Sequence, residues 1–202
     1  MGACSCTLAS HTPRLVVLTG GPGAGKTAVL ETARHHFCAH VEVLPEAASI
    51  IFGGGFPRRA TPPAMRAAQR AIYRVQRELE RMAAEEQQAS LVVCDRGTVD
   101  GVAYWPNHGA SLWTEVGTTL AEQVRRYHAV IHLRTPKADG GYDHANPLRT
   151  ESPHHAAEID RVIEQAWRDH PRRIFVDSTE SFVEKLDRAL ALIRAEIPDC
   201  CR

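Results

Sequence analysis

Gly20, Gly25, Lys26 and Thr27 stand at the spacing Gly-x4-Gly-Lys-Thr within the run Gly20-Gly21-Pro22-Gly23-Ala24-Gly25-Lys26-Thr27. Each residue type there has a mechanical use. Glycines let successive backbone N–H groups turn inward on an anion, and a helix beginning at the lysine presents its positive end to the same point. The Lys26 ammonium then reaches β- and γ-phosphates, and the Thr27 hydroxyl is a ligand for Mg²⁺. An apolar run from Arg14 to Thr19 enters the loop and a helical pattern leaves it, which is the context this chemistry needs. The loop reads as a site for the phosphates of ATP or GTP, formed by Gly21, Pro22, Gly23, Ala24, Gly25, Lys26, Thr27 and Ala28.

Other residues fall where a phosphate site would use them. Asp95 ends the buried-looking run Leu91-Val92-Val93-Cys94-Asp95, the natural place for an acid that holds Mg²⁺ beside Thr27, and Arg96 follows at once as a cation for phosphate. The plainer reading of that pair is an ion pair at a strand end. Glu46 stands just past Val41-Glu42-Val43-Leu44, at the carboxyl edge of a sheet where ligand contacts gather. It could deprotonate an acceptor hydroxyl or join the metal shell, or simply serve as the acid of a helix N-terminus.

A long helical pattern carries Arg66, Gln69, Arg70, Tyr73, Gln76 and Arg77 on one stripe. They form either a solvated face opposite Ile72, Val75 and Leu79 or a wall, with Gln76 and Arg77, that reads an acceptor. The segment 135–153 holds Tyr142, a candidate acceptor contact, and reads as a closing lid. Arg134 and Arg149, at and within its edges, would neutralise charge on a transferring phosphoryl group.

The elements that must position these residues alternate. Strand patterns at 14–19, 41–44, 91–95, 129–133 and 173–176 are separated by helical patterns near 26–38, 46–52, 62–89, 114–127, 154–170 and 181–195. Strands with almost no polar alternation are covered on both faces, so the reading is a three-layer α/β fold, a five-stranded parallel sheet flanked by helices. Residues 1–13 are expected to be a disordered leader, followed by one domain at 14–197.

Composition narrows the partners. The 202 residues carry 24 basic and 24 acidic side chains, so no global field recruits nucleic acid. No secretory signal or membrane-length apolar run appears, which suggests a cytoplasmic protein without membrane insertion. Cys4, Cys6, Cys200 and Cys201 could hold zinc only if the two ends met, and frayed tails are the expectation. The adjacent pairs His35-His36 and His154-His155 point about 100° apart on a helix and make no shared metal site.

The stretches Leu18 to Thr27, Leu44-Pro45-Glu46-Ala47-Ala48 and Cys94-Asp95-Arg96-Gly97 together resemble the AAA-type set of small P-loop ATP/GTP-binding proteins. That set includes nicotinamide-riboside-kinase-like domains and animal proteins named for defective translocation of the TRPL channel. Phe52 to Arg58, Gly101 to Pro106, His132 to Pro136 and Asn146 to Arg149 are similar to the narrower group. The likeness runs over about residues 14–195 and implies a P-loop NTPase of the nucleoside/nucleotide-kinase type. Asp95-Arg96-Gly97 and Pro45-Glu46 are more distantly similar to deoxynucleoside and nucleoside-monophosphate kinases, although Gly97 stands where those often have Ser or Tyr.

Two functions compete. One is a Mg²⁺-dependent kinase moving the γ-phosphoryl of ATP to a small nucleoside- or nucleotide-like acceptor. The other is a regulatory ATP/GTP-binding switch with slow NTPase activity. Pro136-Lys137-Ala138-Asp139 approaches a guanine-reading element but begins with Pro, and no Asp-x-x-Gly follows the third strand, which favours the kinase. The short, neutral chain and the lack of a Ser-Gly-Gly signature speak against a motor or transporter ATPase.

Overall fold

The structure, a computed structural model, describes residues 4–106, 109–135, 153–178 and 181–202. Five strands, β1 (Arg14–Thr19), β2 (Val41–Leu44), β3 (Leu91–Asp95), β4 (Ala129–Leu133) and β5 (Arg173–Val176), form one parallel sheet in the order β2-β3-β1-β4-β5. The three central strands are nearly all buried because helices cover both faces. Val16 and Leu18 point to the face covered by α1 (Lys26–His36) and α7 (Phe182–Glu196), with Leu30, Ala189 and Ile193. Val17, one residue out of phase, points to the opposite layer with Val92, Ile163 and Trp167. That layer contains α3 (Pro62–Glu86), α5 (Leu120–Arg125) and α6 (Pro153–Ala166). The result is the three-layer α/β architecture of a P-loop NTPase.

One local expectation differs. The single helix expected near 114–127 is two, α4 (Leu112–Val116) and α5. Gly117 ends α4 in the left-handed region (φ 74°), and Thr119 with Glu122 starts α5 in a capping box. Between β3 and α4, Thr98–Tyr104 is a 3₁₀ helix.

On α3 the buried stripe is Ala68, Gln69, Tyr73, Gln76, Glu80 and Ala83, while Met82 is exposed and Ile72, Val75 and Leu79 are only half-buried. The polar face turns inward because its groups find partners there. Tyr127 donates to Glu80 Oε1 at 2.7 Å, Arg126 pairs with the other Glu80 oxygen, and Gln76 Nε2 donates to Glu80 Oε1 at 2.9 Å.

The N-terminal segment from Cys4 onward and the last residues pack against the fold. His11 is buried and its backbone N–H donates to the Gln87 carbonyl at 2.8 Å. Cys4 and Cys6 pack against the α1/α7 core. After α7 a 3₁₀ turn, Asp199–Cys201, buries Cys201, and Arg202 donates to the carbonyls of Ile197 and Ala195. Among the described residues, no helix is long and apolar enough to cross a membrane.

Candidate nucleotide site

Strand β1 sits in the middle of the sheet and delivers the glycine loop to its carboxyl edge. Gly20 has φ +135°, and a Cβ there would lie 2.1 Å from the Leu133 carbonyl oxygen at the end of β4. Only glycine lets the chain leave the strand at that point. Gly25, at φ +93°, opens α1, whose first turn has no capping side chain and no acidic residue. The unclaimed helix N–H groups therefore face the cavity as an anion site.

Lys26 is buried, and its ammonium donates to the carbonyls of Gly20 (2.9 Å) and Gly21 (3.1 Å). Burial, and then the neighbouring Arg96 charge, lower its pKa from 10.5 to about 8. A lysine so placed carries its charge at neutral pH and loses it in mild alkali. Nucleotide affinity is therefore expected to be flat below about pH 8 and to fall above it, approaching tenfold per further unit. Calorimetric Kd values across the alkaline range check this, and an unchanged Kd well above that point would contradict it.

Four acids and one arginine surround the loop. Asp95, at the tip of β3, lines the cavity with one buried carboxylate oxygen, Oδ1, that has no hydrogen-bond partner. Burial pushes its pKa up to about 6 despite the nearby Lys26 charge. An orphaned carboxylate oxygen and a threonine hydroxyl lining the same cavity are a donor set suited to Mg²⁺, so Thr27 and Asp95 fit the cation expected there.

Arg96 adopts φ +70°, unusual for a side chain of its size. Its backbone N–H donates to Leu18, and its guanidinium donates to Glu46 Oε1 (2.7 Å), the Gly20 carbonyl (3.3 Å) and Asp100 Oδ2 (3.5 Å). That set of partners holds the strained conformation in place. Glu46, at the start of α2 (Ala47–Gly53), also accepts from the Ser49 hydroxyl at 2.5 Å. Burial would raise its pKa, but the Arg96 guanidinium and the Ser49 bond hold it below the ordinary value.

Asp100 and Asp160 were not apparent from sequence. Asp100, buried on the 3₁₀ helix, accepts from Thr19 Oγ1 (2.5 Å) and Trp167 Nε1 (2.6 Å) as well as Arg96. Asp160 on α6 accepts from the Gly21 backbone N–H (2.7 Å) and the Thr135 N–H (3.2 Å), and its Oδ1 lies 2.8 Å from His132 Nε2. No spacing rule connects either acid to the loop, since their partners lie 81 and 139 residues away in the chain.

The loop opens into a cavity of about 730 Å³. Pro22, Gly23, Ala24, Gly25, Lys26 and Thr27 line one end together with Asp95, Arg96 and Glu46. The far wall is built by α2 and α3, with Phe52, Gln69, Ile72, Tyr73 and Gln76, and by Tyr104 of the 3₁₀ helix. Aromatic and apolar surface with a few amides is what recognises a flat, polar-edged small molecule.

The remaining candidates fall elsewhere. Gly21 and Ala28 flank the lining rather than join it, and the Gly21 N–H is already committed to Asp160. Arg77 is not among the lining residues. Arg134 is held by Glu164 (3.2 and 3.4 Å) and Asp177 (3.1 Å) over the Phe175 ring, away from the cavity. Tyr142 and Arg149 lie outside the described residues, as does nearly all of the segment expected as a lid.

A search of curated proteins returns no match to the chain. A family model described as an AAA domain matches residues 15–185. That span takes in the glycine loop, Glu46, Asp95-Arg96 and both buried aspartates. A nucleotide-binding P-loop domain built on a five-stranded parallel sheet is what the geometry had already assembled, and by this match the chain belongs to the AAA-domain family.

Proposed function

We propose that this protein is a Mg²⁺-dependent phosphotransferase that moves the γ-phosphoryl of ATP, or of GTP, to a hydroxyl or phosphate of a small nucleoside- or nucleotide-like acceptor. The observation that carries the reading is the continuity of one cavity from the phosphate loop to the Gln69/Tyr73/Gln76 wall of α3. A protein that only hydrolysed its nucleotide would have no use for a second, amide-edged compartment beyond Glu46.

The roles follow from the contacts. Lys26 exchanges the Gly20 and Gly21 carbonyls for β- and γ-phosphate oxygens, and the α1 N-terminus supplies backbone donors. Thr27 and Asp95 would hold Mg²⁺, which when bound offsets charge on the phosphates. Arg96, already fixed by Glu46 and Asp100, directs its charge at the transferring group. Glu46 accepts a hydrogen bond from the acceptor hydroxyl and orients it. A carboxylate held in its ionised form by Arg96 suits orientation, and phosphoryl transfer asks more for positioning than for a strong base. Gln76 spends its amide N–H on Glu80, which leaves its carbonyl oxygen to receive a donor on the acceptor.

The test is a screen of nucleosides, nucleotides and vitamins as acceptors for labelled ATP. A productive acceptor should be phosphorylated at least about 100-fold more slowly by Glu46→Gln, a loss much larger than any weakening of ATP binding through the Arg96 that Glu46 holds. Only slow hydrolysis across a wide panel would sink the proposal. The engagement of Arg134 by Glu164 and Asp177 favours a second reading, a nucleotide-binding switch with slow NTPase activity. Strong GTP preference in competition calorimetry, with no transfer to any acceptor, would support it.

A further inference from the structure

At the amino edge of the sheet, opposite the glycine loop, three distant segments bring sulfur and imidazole groups together. The N-terminal segment supplies Cys6 and His11. The turn between α1 and β2 supplies His40, and the 3₁₀ turn after α7 supplies Cys201. One ligand atom from each of the four lies within 4.8 Å of every other. Cys6 Sγ is 3.8 Å from His11 Nε2, and Cys201 Sγ is 3.4 Å from His40 Nδ1. The edges of a tetrahedron with ordinary Zn–S and Zn–N bonds are roughly 3.3–3.8 Å, so these two separations match such edges and the remaining pairs, all within 4.8 Å, need only a small contraction.

We propose that Cys6, His11, His40 and Cys201 form a structural zinc site that fastens both ends of the chain to the α1–β2 corner. The donor chemistry selects the metal. Two thiolates and two neutral imidazoles suit zinc rather than Mg²⁺ or Ca²⁺, which want oxygen, and they bring its net charge to zero, as a largely buried site requires. His11 and Cys201 are buried and Cys6 and His40 half-buried, which fits a closed structural site rather than a catalytic one with an open position.

The backbone fixes the ligands independently of any ion. The His11 N–H donates to Gln87, the His40 carbonyl accepts from both Ser90 and Leu91, and the Cys201 N–H donates to Pro198. Cys4 Sγ also lies 3.3 Å from His40 Nδ1, and with Cys38 it forms a three-member alternative that competes for the same imidazole. The four-ligand set is preferred because it closes a tetrahedron from side chains alone.

The experiment uses the full chain purified under reducing conditions with zinc supplied, then desalted. Elemental analysis is expected to give one zinc per chain. Replacement by Co²⁺ should give the intense visible bands of tetrahedral cobalt with a thiolate charge-transfer band. Cys201→Ser and His11→Asn should weaken binding at least about 100-fold, whereas Cys4→Ser and Cys38→Ser should retain one equivalent. Chelation of the wild-type chain should lower its melting temperature while leaving the Kd for ATP unchanged. The proposal is overturned by a reduced wild-type chain that retains no zinc, or by an octahedral cobalt spectrum. It is equally overturned if binding survives Cys6→Ser and Cys201→Ser but fails in Cys4→Ser. The cobalt spectrum of the wild-type chain decides the matter even if a ligand variant does not fold.

Discussion

Lys26→Met is expected to weaken ATP binding at least about 100-fold while leaving the nucleotide-free protein about as stable as the wild type. Two charge-assisted contacts to phosphate, each worth about 1.5–3 kcal/mol, disappear with the ammonium. Stability is set by two opposing terms. Burial lowers the Lys26 pKa from 10.5 to about 8, so holding the charge inside costs about 3 kcal/mol below that pH, and methionine removes the cost. Against this, the carbonyls of Gly20 and Gly21 lose their donor, a loss of about 1–3 kcal/mol each where no water replaces it. Thermal melts with and without ATP separate the two effects. The wild type should show an ATP-dependent rise and the variant none, from starting points a few degrees apart.

The sign of the pH dependence adds a second check. Between about pH 8 and 10.5 the unfolded chain still holds the Lys26 proton that the folded chain has released. Folding stability attributable to this residue therefore rises with pH across that window. The wild type should gain on Lys26→Met there, and a constant difference between the two would show that the lysine is not buried as described.

Asp100→Ala is expected to be the most destabilising single change near the site, by about 3–5 kcal/mol. Its carboxylate is almost fully buried and accepts from Thr19, Trp167 and Arg96 at once. Alanine leaves an indole N–H and a hydroxyl without partners inside the core, and it removes one of the two carboxylates that balance a buried guanidinium. Against a typical total of about 5–15 kcal/mol this is a large fraction. Urea denaturation followed by tryptophan fluorescence reads the change, with Trp167 itself a local reporter. Asp100→Asn keeps the shape and one acceptor, so its loss should be distinctly smaller. ATP affinity should fall in both, because Arg96 loses the group that fixes its direction. A loss under about 1 kcal/mol for Asp100→Ala would mean that these hydrogen bonds are not made.

What could be read from sequence was what local chemistry dictates. The five strands carry short, mainly apolar runs, interrupted by Glu42 in β2 and His132 in β4, and the glycine loop and Asp95-Arg96 announce themselves within a few residues. Burial of the polar stripe of α3 could not be read, because Glu80 is satisfied by Arg126 and Tyr127, 46 and 47 residues on. Periodicity left the polar stripe of α3 as either a solvated face or a wall. The hydrogen-bond network turns Gln69, Tyr73 and Gln76 inward. Arg134 looked like a clamp from its place at a strand end, but Glu164 and Asp177 claim it, and nothing near it in the chain announces them. The Cys6–Cys201 grouping depends on segments 195 residues apart meeting at His40, a matter of topology that composition does not encode.

The carboxylate of Asp160 against the Gly21 N–H has a kinetic consequence. It ties the entry of the loop to α6 through the chain's own contacts, so that end of the loop is ordered by the fold itself. A triphosphate meets a receptor whose backbone entropy was surrendered when the chain folded, not at the moment of encounter. Association should then follow one exponential phase set by collision and charge, and differences in affinity among nucleotides should appear in how slowly each one leaves.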